Sequence, residues 1–216
     1  MIEDEHAAGS TSVVSDIARS AQFPTWTVPP SALLLLRALA QHSAVTYRQS
    51  LRGASRAWKL SRALGLRAGD SERLWLMGLL HDVGMIHVPR SFLNARAEVR
   101  KWNERILWMH PLHGAALVTE DRTLATLAPA IVAHHERPDG SGYPRGLRAW
   151  QIPEEARFIA VIDSLDSIGS RPGGMTGLDQ PDKPAVRRSV TGLTWETRLI
   201  EAAVELLAEE SGRSAD

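Results

Sequence analysis

The sequence has no cysteine, no long apolar run and no excess of charge of either sign. The absence of cysteine among 216 residues excludes disulfides, thiolate metal sites and cysteine nucleophiles, and it fits a reducing compartment. Lys plus Arg and Asp plus Glu number 25 each, so no global charge indicates binding to a nucleic acid polymer. The acidic start MIEDEHAAGS lacks the features of a secretion signal, and apolar runs such as Leu33 to Leu36 are too short to span a bilayer. We therefore expect a soluble cytoplasmic protein without membrane association.

The length and the apolar periodicity predict one all-α domain, a single helical bundle of about seven helices over residues 31–216. Residues 1–30 are polar and small, which predicts a flexible N-terminal segment. A helix from about Val99 to Glu120 is expected to carry His110 and His113. Residues 170–193 are rich in Gly, Pro, Asp and Arg without an apolar period, which indicates a long loop that is either a lid or disordered.

The polar residues that could carry chemistry stand at or near the ends of apolar helices. The stretch from His134 to Leu147, HHERPDGSGYPRGL, places two histidines and a glutamate after the apolar run LATLAPAIVA and before a glycine-rich loop. Neutral imidazole and carboxylate together suit Fe, Mn, Zn or Ni. Neighbouring helical residues point about 100° apart, so adjacent pairs can contact two ions from different sides, and a carboxylate can bridge them. The candidate metal donors are His81, Asp82, His110, His134, His135 and Asp163.

Two divalent ions in such a site would generate a nucleophile from water at neutral pH and neutralise phosphate oxygens during in-line attack. The sequence contains no G-x-S-x-G and no Walker loop, and its Ser, His and Asp residues have no spacing that is typical of a catalytic triad. The pattern therefore favours metal-dependent hydrolysis of a phosphoester.

These motifs resemble the HD-GYP family, a branch of the HD-domain metal-dependent phosphohydrolases. The resemblance covers about Leu34 to Pro172 and rests on HDVG, HPLHG, HHERPDGSGYPRGL, the dipeptide IP and a D-x-x-D pair that begins at Asp163. It implies an all-helical bundle and hydrolysis of cyclic di-GMP to pGpG or GMP. It also implies metal ligation by His81, Asp82, His110, His134, His135 and Asp163, a catalytic role for Asp82, and a nucleotide site at Gly142, Tyr143 and Pro144. Arg171 is either a phosphate contact or a solvated surface arginine.

The chain departs from the family pattern at several positions. Met85 stands where family members usually have lysine, and a thioether cannot hold a phosphate or supply a proton. Gln49 replaces a histidine, and Val45 replaces a glutamate that binds a third metal ion in some members, so we expect two ions. After Asp166 the chain reads SIGSRPGG, which keeps Arg171 and lacks the tyrosine and the basic residue that normally follow in the family.

These departures keep other functions open. The chain could be a catalytically weak or inactive module that binds a nucleotide or a partner protein, or it could hydrolyse another phosphoester as in the broader HD group. The family often works with partner proteins and as dimers, so a protein partner or a homodimer is a further expectation.

Several other side chains have both a functional and a structural interpretation. Arg145 is either a phosphate contact or a solvated arginine. His113 is either a partner of His110 or a surface or core residue. Glu136 either orients a histidine or accepts a hydrogen bond, or it is a solvated glutamate. We interpret the tryptophans as packing residues at helical core positions and not as surfaces for base stacking, among them Trp58, Trp75, Trp102 and Trp108.

Overall fold

The fold is helical in every part of the chain that the structure describes. The computed structural model describes residues 13–17, 27–93, 104–169 and 196–212, and within these ranges there is no β-strand. The α-helices are α1 Pro30–His42, α2 Ala44–Ala63, α3 Ala68–Leu80, α4 Arg90–Leu93, α5 Glu104–Leu107, α6 His110–Thr119, α7 Ala128–Ala133, α8 Glu154–Gly169 and α9 Glu196–Gly212. Three short 3₁₀ segments join them, at Val83–His87, Ala125–Leu127 and Ala149–Gln151. The prediction of an all-α fold is confirmed.

The α2–α3 hairpin is the centre of the bundle. A Cβ on Gly78 would lie 2.8 Å from backbone atoms of Gly53 and Ala54, so the two helices pack with their backbones in close approach. Helices α1, α8 and α9 cover α2, and α7 packs against α6 and α8. The largest fully buried side chains come from most of these helices: Leu36, Leu39, Leu60, Met77, Leu79, Leu80, Ile131, Phe158 and Ile159.

An ion pair fastens the last helix to the hairpin. The Arg56 guanidinium on α2 lies 2.8 Å from a Glu210 carboxylate oxygen on α9, and Arg56 is 6 % exposed. Because a partly buried arginine with a carboxylate partner is more strongly bound than an exposed pair, this contact aligns α9 on the bundle.

The N-terminal segment differs from the expectation at one place. Residues 13–17 are helical, and Val13 and Ile17 are buried in the core. The hydroxyl of Tyr47 donates a hydrogen bond to Asp16 at 3.3 Å. These two apolar residues are four apart, the spacing at which one helical face packs against a neighbour.

The long helix predicted from Val99 to Glu120 is wrong as a continuous element. The structure has two helices, α5 and α6, joined by a turn at Trp108 and Met109. Pro111 lies in the first turn of α6, where its missing N–H costs no hydrogen bond, whereas inside a continuous helix it would break one. The chain therefore starts a new helix at His110.

Some predictions cannot be compared with the structure. The loop predicted at residues 170–193 and the contact residue Arg171 lie outside the described residues. Among the described helices, none combines the length and the apolar character needed to cross a bilayer.

Candidate metal centre and nucleotide loop

Three histidines occupy helix ends that point to one place. His81 caps the C-terminus of α3, His110 begins α6 and His134 caps the C-terminus of α7. In each ring Nδ1 donates to the carbonyl oxygen three residues earlier, at 3.0, 2.6 and 2.6 Å from Gly78, Leu107 and Ile131 respectively. A hydrogen bond from one ring nitrogen to a backbone carbonyl selects the tautomer and leaves Nε2 as the ligand atom.

The three Nε2 atoms meet at the Asp82 carboxylate. Its Oδ1 lies 3.1 Å from His110 Nε2 and 3.8 Å from His134 Nε2. Its Oδ2 lies 3.3 Å from His81 Nε2 on the other side. The carboxylate thus presents Oδ1 to His110 and His134 and Oδ2 to His81.

The donor set fits a metal ion. His110 Nε2 and His134 Nε2 are 3.3 Å apart, and with both Nδ1 protons engaged by carbonyls, two neutral rings would turn lone pairs toward each other. A cation between or beside them removes that repulsion. Asp82, His110, His134 and His135 each offer one ligand atom, and these four atoms lie within 4.8 Å of one another. Imidazole with carboxylate is a donor set for Fe, Mn, Ni or Zn.

Burial and charge set the protonation of this cluster. Burial, followed by the neighbouring imidazoles of His110 and His81, lowers the pKa of His134 to about 3, so its ring is neutral at pH 7. Burial and the other histidines also hold the pKa of His135 well below its usual range. Burial opposes charge on His81 as well, but the adjacent Asp82 carboxylate outweighs it and raises the pKa of His81 to about 9. Burial also opposes charge on Asp82, but His81 and His110 outweigh it and hold the pKa of Asp82 well below its usual value.

Two glycines bring the Asp82 segment against α6. A Cβ on Gly84 would overlap the carbonyl oxygen of His110 and the amide nitrogen of Gly114. The 3₁₀ segment after Asp82 and the first turns of α6 therefore touch through their backbones. The G of HDVG and the G of HPLHG are the small residues that allow Asp82 to reach His110.

His135 and Asp163 form a more exposed side of the cluster. His135 Nδ1 lies 3.8 Å from an Asp163 carboxylate oxygen, and their side chains are 24 % and 27 % exposed. Asp163 is on α8, which the bundle packs against α7, and its charge also acts on His81. The open side of the cluster, where a substrate could enter, is thus at these two residues.

Glu136 organises the glycine-rich loop. Its side chain is 2 % exposed and accepts hydrogen bonds from the backbone N–H groups of Arg145 and Leu147, at 2.6 and 2.8 Å. The interpretation of Glu136 as a hydrogen-bond acceptor is therefore the one that applies, while the Arg145 side chain is exposed. Because each oxygen of the carboxylate accepts one backbone hydrogen bond, Glu136 fixes the loop at both Arg145 and Leu147.

The loop returns onto the adjacent histidines. A Cβ on Gly142 would overlap the backbone of residues 135–137, and the Tyr143 N–H donates to the His135 carbonyl at 3.2 Å. The Tyr143–Pro144 peptide bond is cis. Glycine at position 142 is thus required by the close approach that lays the Tyr143 ring on His135.

Tyr143 stacks on a second ring, that of Trp108. The Tyr143 ring stacks on His135 with centroids 4.8 Å apart, and Trp108 stacks on Tyr143 at 5.3 Å and an interplanar angle of 15°. Trp108 is in a turn and is 39 % exposed, so its interpretation as a helical core residue is wrong. Trp75, by contrast, is buried as expected. The signal in the sequence against a helical core position for Trp108 is Pro111, which starts a new helix.

The neighbouring departures from the family pattern are also visible. Met85, one of these departures, is buried at 6 % exposure. Gly53 on α2 lies against the His81 ring, where a Cβ on this glycine would be 3.5 Å from Cε1. His113 faces His87, with ring centroids 5.0 Å apart. Of the predicted site residues, the structure brings His81, Asp82, His110, His134, His135, Asp163 and Tyr143 together.

The relatives found by comparison with known proteins include phosphodiesterases named for cyclic dinucleotides. The chain is 36 % identical over 142 residues to a cyclic di-GMP phosphodiesterase of Pseudomonas aeruginosa, a match that covers 65 % of this chain and 34 % of the relative. It is 28 % identical to the 3'3'-cGAMP-specific phosphodiesterase 1 of Vibrio cholerae, over 63 % of this chain and 32 % of the relative. The chain thus spans about a third of the length of these two curated relatives.

The fold and the family agree with these matches. The HD domain of the phosphodiesterase PgpH of L. monocytogenes superimposes with a TM-score of 0.56 at 16 % identity, over 83 % of this chain and 98 % of that chain. The family model described as HD domain matches residues 34–177. The chain therefore belongs to the HD domain family, and its motifs are those of the HD-GYP type.

Proposed function

We propose that this chain is a metal-dependent phosphodiesterase that hydrolyses cyclic di-GMP to pGpG or GMP. The observation that carries the proposal is the convergence of Asp82, His110, His134 and His135, whose ligand atoms lie within 4.8 Å of one another beside the Tyr143 loop. The similarity to relatives named cyclic di-GMP phosphodiesterases supplies the substrate class.

The proposed metal ligands are the six residues His81, Asp82, His110, His134, His135 and Asp163. They would hold two divalent ions of Fe, Mn, Ni or Zn, because Asp82 presents a different oxygen to each side and Asp163 adds a second carboxylate. When bound, such ions lower the pKa of water and neutralise charge on phosphate oxygens.

The chain itself contributes orientation, charge and shape. The carbonyl-bound histidines hold their Nε2 atoms toward the centre, which reduces the reorganisation needed at the moment of reaction. Asp82 is ionised in its buried position and is the proposed catalytic carboxylate. Gly142, Tyr143 and Pro144 shape the wall beside His135, and Arg171 is proposed as a phosphate contact.

The direct test is product analysis after reconstitution under reducing conditions. Protein loaded separately with Fe, Mn and Ni is expected to convert cyclic di-GMP to pGpG or GMP, and Asp82→Asn is expected to lose at least about a hundredfold in rate. Binding of about two ions without any cleavage under all three metals would remove the catalytic proposal.

A second function is favoured by Met85. This residue is buried next to the Asp82 segment, at the position where lysine is usual in similar proteins, so a cationic group is lacking there. The chain would then be a weak or inactive module that binds a nucleotide or a partner protein. Met85→Lys is expected to raise hydrolysis under this alternative, and wild-type turnover at the level of active relatives would exclude it.

The base identity of the substrate is a separate question, because one relative is named for 3'3'-cGAMP. Parallel assays with cyclic di-GMP, cyclic di-AMP, 3'3'-cGAMP and simple phosphodiesters separate these substrates. We retain four further parts of the proposal: a cytoplasmic location, a flexible N-terminal segment before residue 31 apart from the helical residues 13–17, a long loop at 170–193 that is either a lid or disordered, and a protein partner or homodimer. Light scattering on purified protein tests the last of these.

A further inference from the structure

The exposed indole of Trp108 is connected to the candidate metal centre by two successive ring contacts. Tyr143 stacks on the candidate ligand His135 with centroids 4.8 Å apart, and Trp108 stacks on Tyr143 with centroids 5.3 Å apart and nearly parallel planes. Trp108 remains 39 % exposed in this position. An aromatic surface therefore extends from the cluster toward solvent.

The stack has a fixed position relative to the cluster. Trp108 precedes His110 by two residues, and the carbonyl of its neighbour Leu107 accepts the Nδ1 hydrogen bond of His110. On the other side, the Tyr143 N–H is bonded to the carbonyl of His135. The backbone next to Trp108 and the backbone of Tyr143 are thus each hydrogen-bonded to a candidate metal ligand, which ties the position of both residues to the cluster.

Tyr143 itself is poorly placed to stack on a base. Its ring already has two stacked partners, His135 and Trp108, and it is only partly exposed. Trp108 is the most exposed ring of this stack. In a nucleotide the ribose separates the base from the phosphate, and Trp108 is correspondingly set back from His135 by the Tyr143 ring.

We infer that Trp108 is the surface on which the purine base of the nucleotide stacks. This inference rests on the proposed function and deepens it, because it names the residue that binds the base. Base–aromatic stacking tolerates any base and is worth about 1–3 kcal/mol by alanine substitution, so Trp108 adds affinity for a nucleotide without selecting guanine. Loss of the ring leaves phosphate contacts at the cluster unchanged.

The test compares two probes that differ by the base alone, GMP and ribose 5-phosphate, on the full chain loaded with Mn. Calorimetry gives both dissociation constants, and their ratio reports the contribution of the base. Wild type is expected to bind GMP at least about fivefold more tightly, and Trp108→Ala is expected to reduce that ratio about fivefold or more. Trp108→Phe is expected to retain most of it.

The matched control is Trp150→Ala, which removes an indole that is 85 % exposed and lies on the 3₁₀ segment after the loop. Its ratio is expected to equal that of wild type. A merely structural role of Trp108 would weaken both probes together and leave the ratio unmoved. Trp108→Leu replaces the alanine variant if thermal melting shows that the latter does not fold.

Three results would overturn the inference: a wild-type ratio near one, an unchanged ratio in Trp108→Ala, or an equal loss in Trp150→Ala. An unchanged ratio with both probes weakened would mean a structural role for Trp108, and an unchanged ratio with neither probe weakened would mean that the indole does not contact the nucleotide. Failure of the proposed function is distinguishable, because cleavage of cyclic di-GMP is assayed separately from the binding ratio. A chain that binds the base through Trp108 and cleaves nothing would contradict the catalytic proposal alone.

Discussion

The candidate metal centre has an inner side and an outer side that are built differently. On the inner side His81, Asp82, His110 and His134 are at most 8 % exposed, and helix ends and carbonyl hydrogen bonds hold the three imidazoles. On the outer side His135 and Asp163 are about a quarter exposed, and an irregular loop supplies Tyr143.

The difference separates two tasks. A buried carboxylate surrounded by imidazole nitrogens is suited to holding cations, because a buried negative charge is costly unless a positive charge lies beside it. A partly exposed aromatic loop is suited to binding and releasing a substrate. Mutations of the inner residues should therefore change metal affinity and stability, and mutations in the Tyr143 loop should change the order of the loop and substrate affinity first.

The largest effect is expected from removal of an inner ligand. His110→Ala deletes the ring that faces both Asp82 and His134, so metal affinity should fall more than about a hundredfold, beyond the usual cost of losing a supporting contact. Calorimetry with Mn measures the affinity. His87→Ala, an exposed histidine on the 3₁₀ segment, is the control and should bind Mn as wild type does. Equal affinity in wild type and His110→Ala would contradict the assignment.

The next effect concerns the backbone contact that forms the inner side. Gly84→Ala inserts a methyl group into the backbone of His110 and Gly114, which should cost about 3 kcal/mol of unfolding free energy and weaken metal binding as well. Gly69→Ala is the control, because nothing lies within 4 Å of the position that its Cβ would take, and it should be neutral or stabilising by up to about 1 kcal/mol. Urea unfolding gives both values, and similar costs at the two positions would refute this account of Gly84.

A smaller effect is expected on the outer side, from Glu136→Gln. The amide can still accept one of the two backbone hydrogen bonds, so the free energy of unfolding should fall by about 1.5–3 kcal/mol. Hydrogen exchange at the Arg145 and Leu147 amides should also become faster. The exposed Glu120→Gln should change stability by less than about 0.5 kcal/mol. Unaltered exchange at the loop amides in Glu136→Gln would show that this carboxylate does not order the loop.

A pH dependence of metal affinity is expected to arise at His81. Its pKa of about 9 means that the metal-free ring carries a proton at pH 7.5, and it must lose that proton to act as a ligand. His134, with its pKa lowered to about 3, is already neutral and releases none. Metal affinity should therefore rise about tenfold per pH unit from pH 7 to pH 9 and then level off.

The corresponding variant separates His81 from its neighbours. In His81→Gln the increase in affinity between pH 7 and pH 9 should disappear, and calorimetry in buffers of different ionisation enthalpy should detect about one proton fewer released. An unchanged slope in this variant would mean that His81 is not a ligand that must lose a proton.

The sequence is informative about the inner side because that side depends on local rules. Adjacent donor residues at helix ends, such as His81 with Asp82, can be recognised in the sequence, and helix geometry sets the directions in which their side chains point. The two glycines that bring Asp82 to His110 are present in the same motifs. The all-α fold follows from apolar periodicity in the same way.

The outer side is less predictable because tertiary contacts decide it. The role of Glu136 depends on which backbone N–H groups the following loop turns toward it. Trp108 fits a core position only in a continuous helix, and Pro111, which starts a new helix, is the signal against that helix. The burial of residues 13–17 likewise depends on contacts with distant helices.

The central claim is that the buried cluster binds divalent metal ions, and native mass spectrometry tests it most directly. Wild-type protein, reconstituted with Mn under reducing conditions and freed of excess metal, should retain the mass of about two ions, and Asp82→Ala should lose them. Wild-type protein without bound metal, or equal loading of wild type and Asp82→Ala, would contradict the claim.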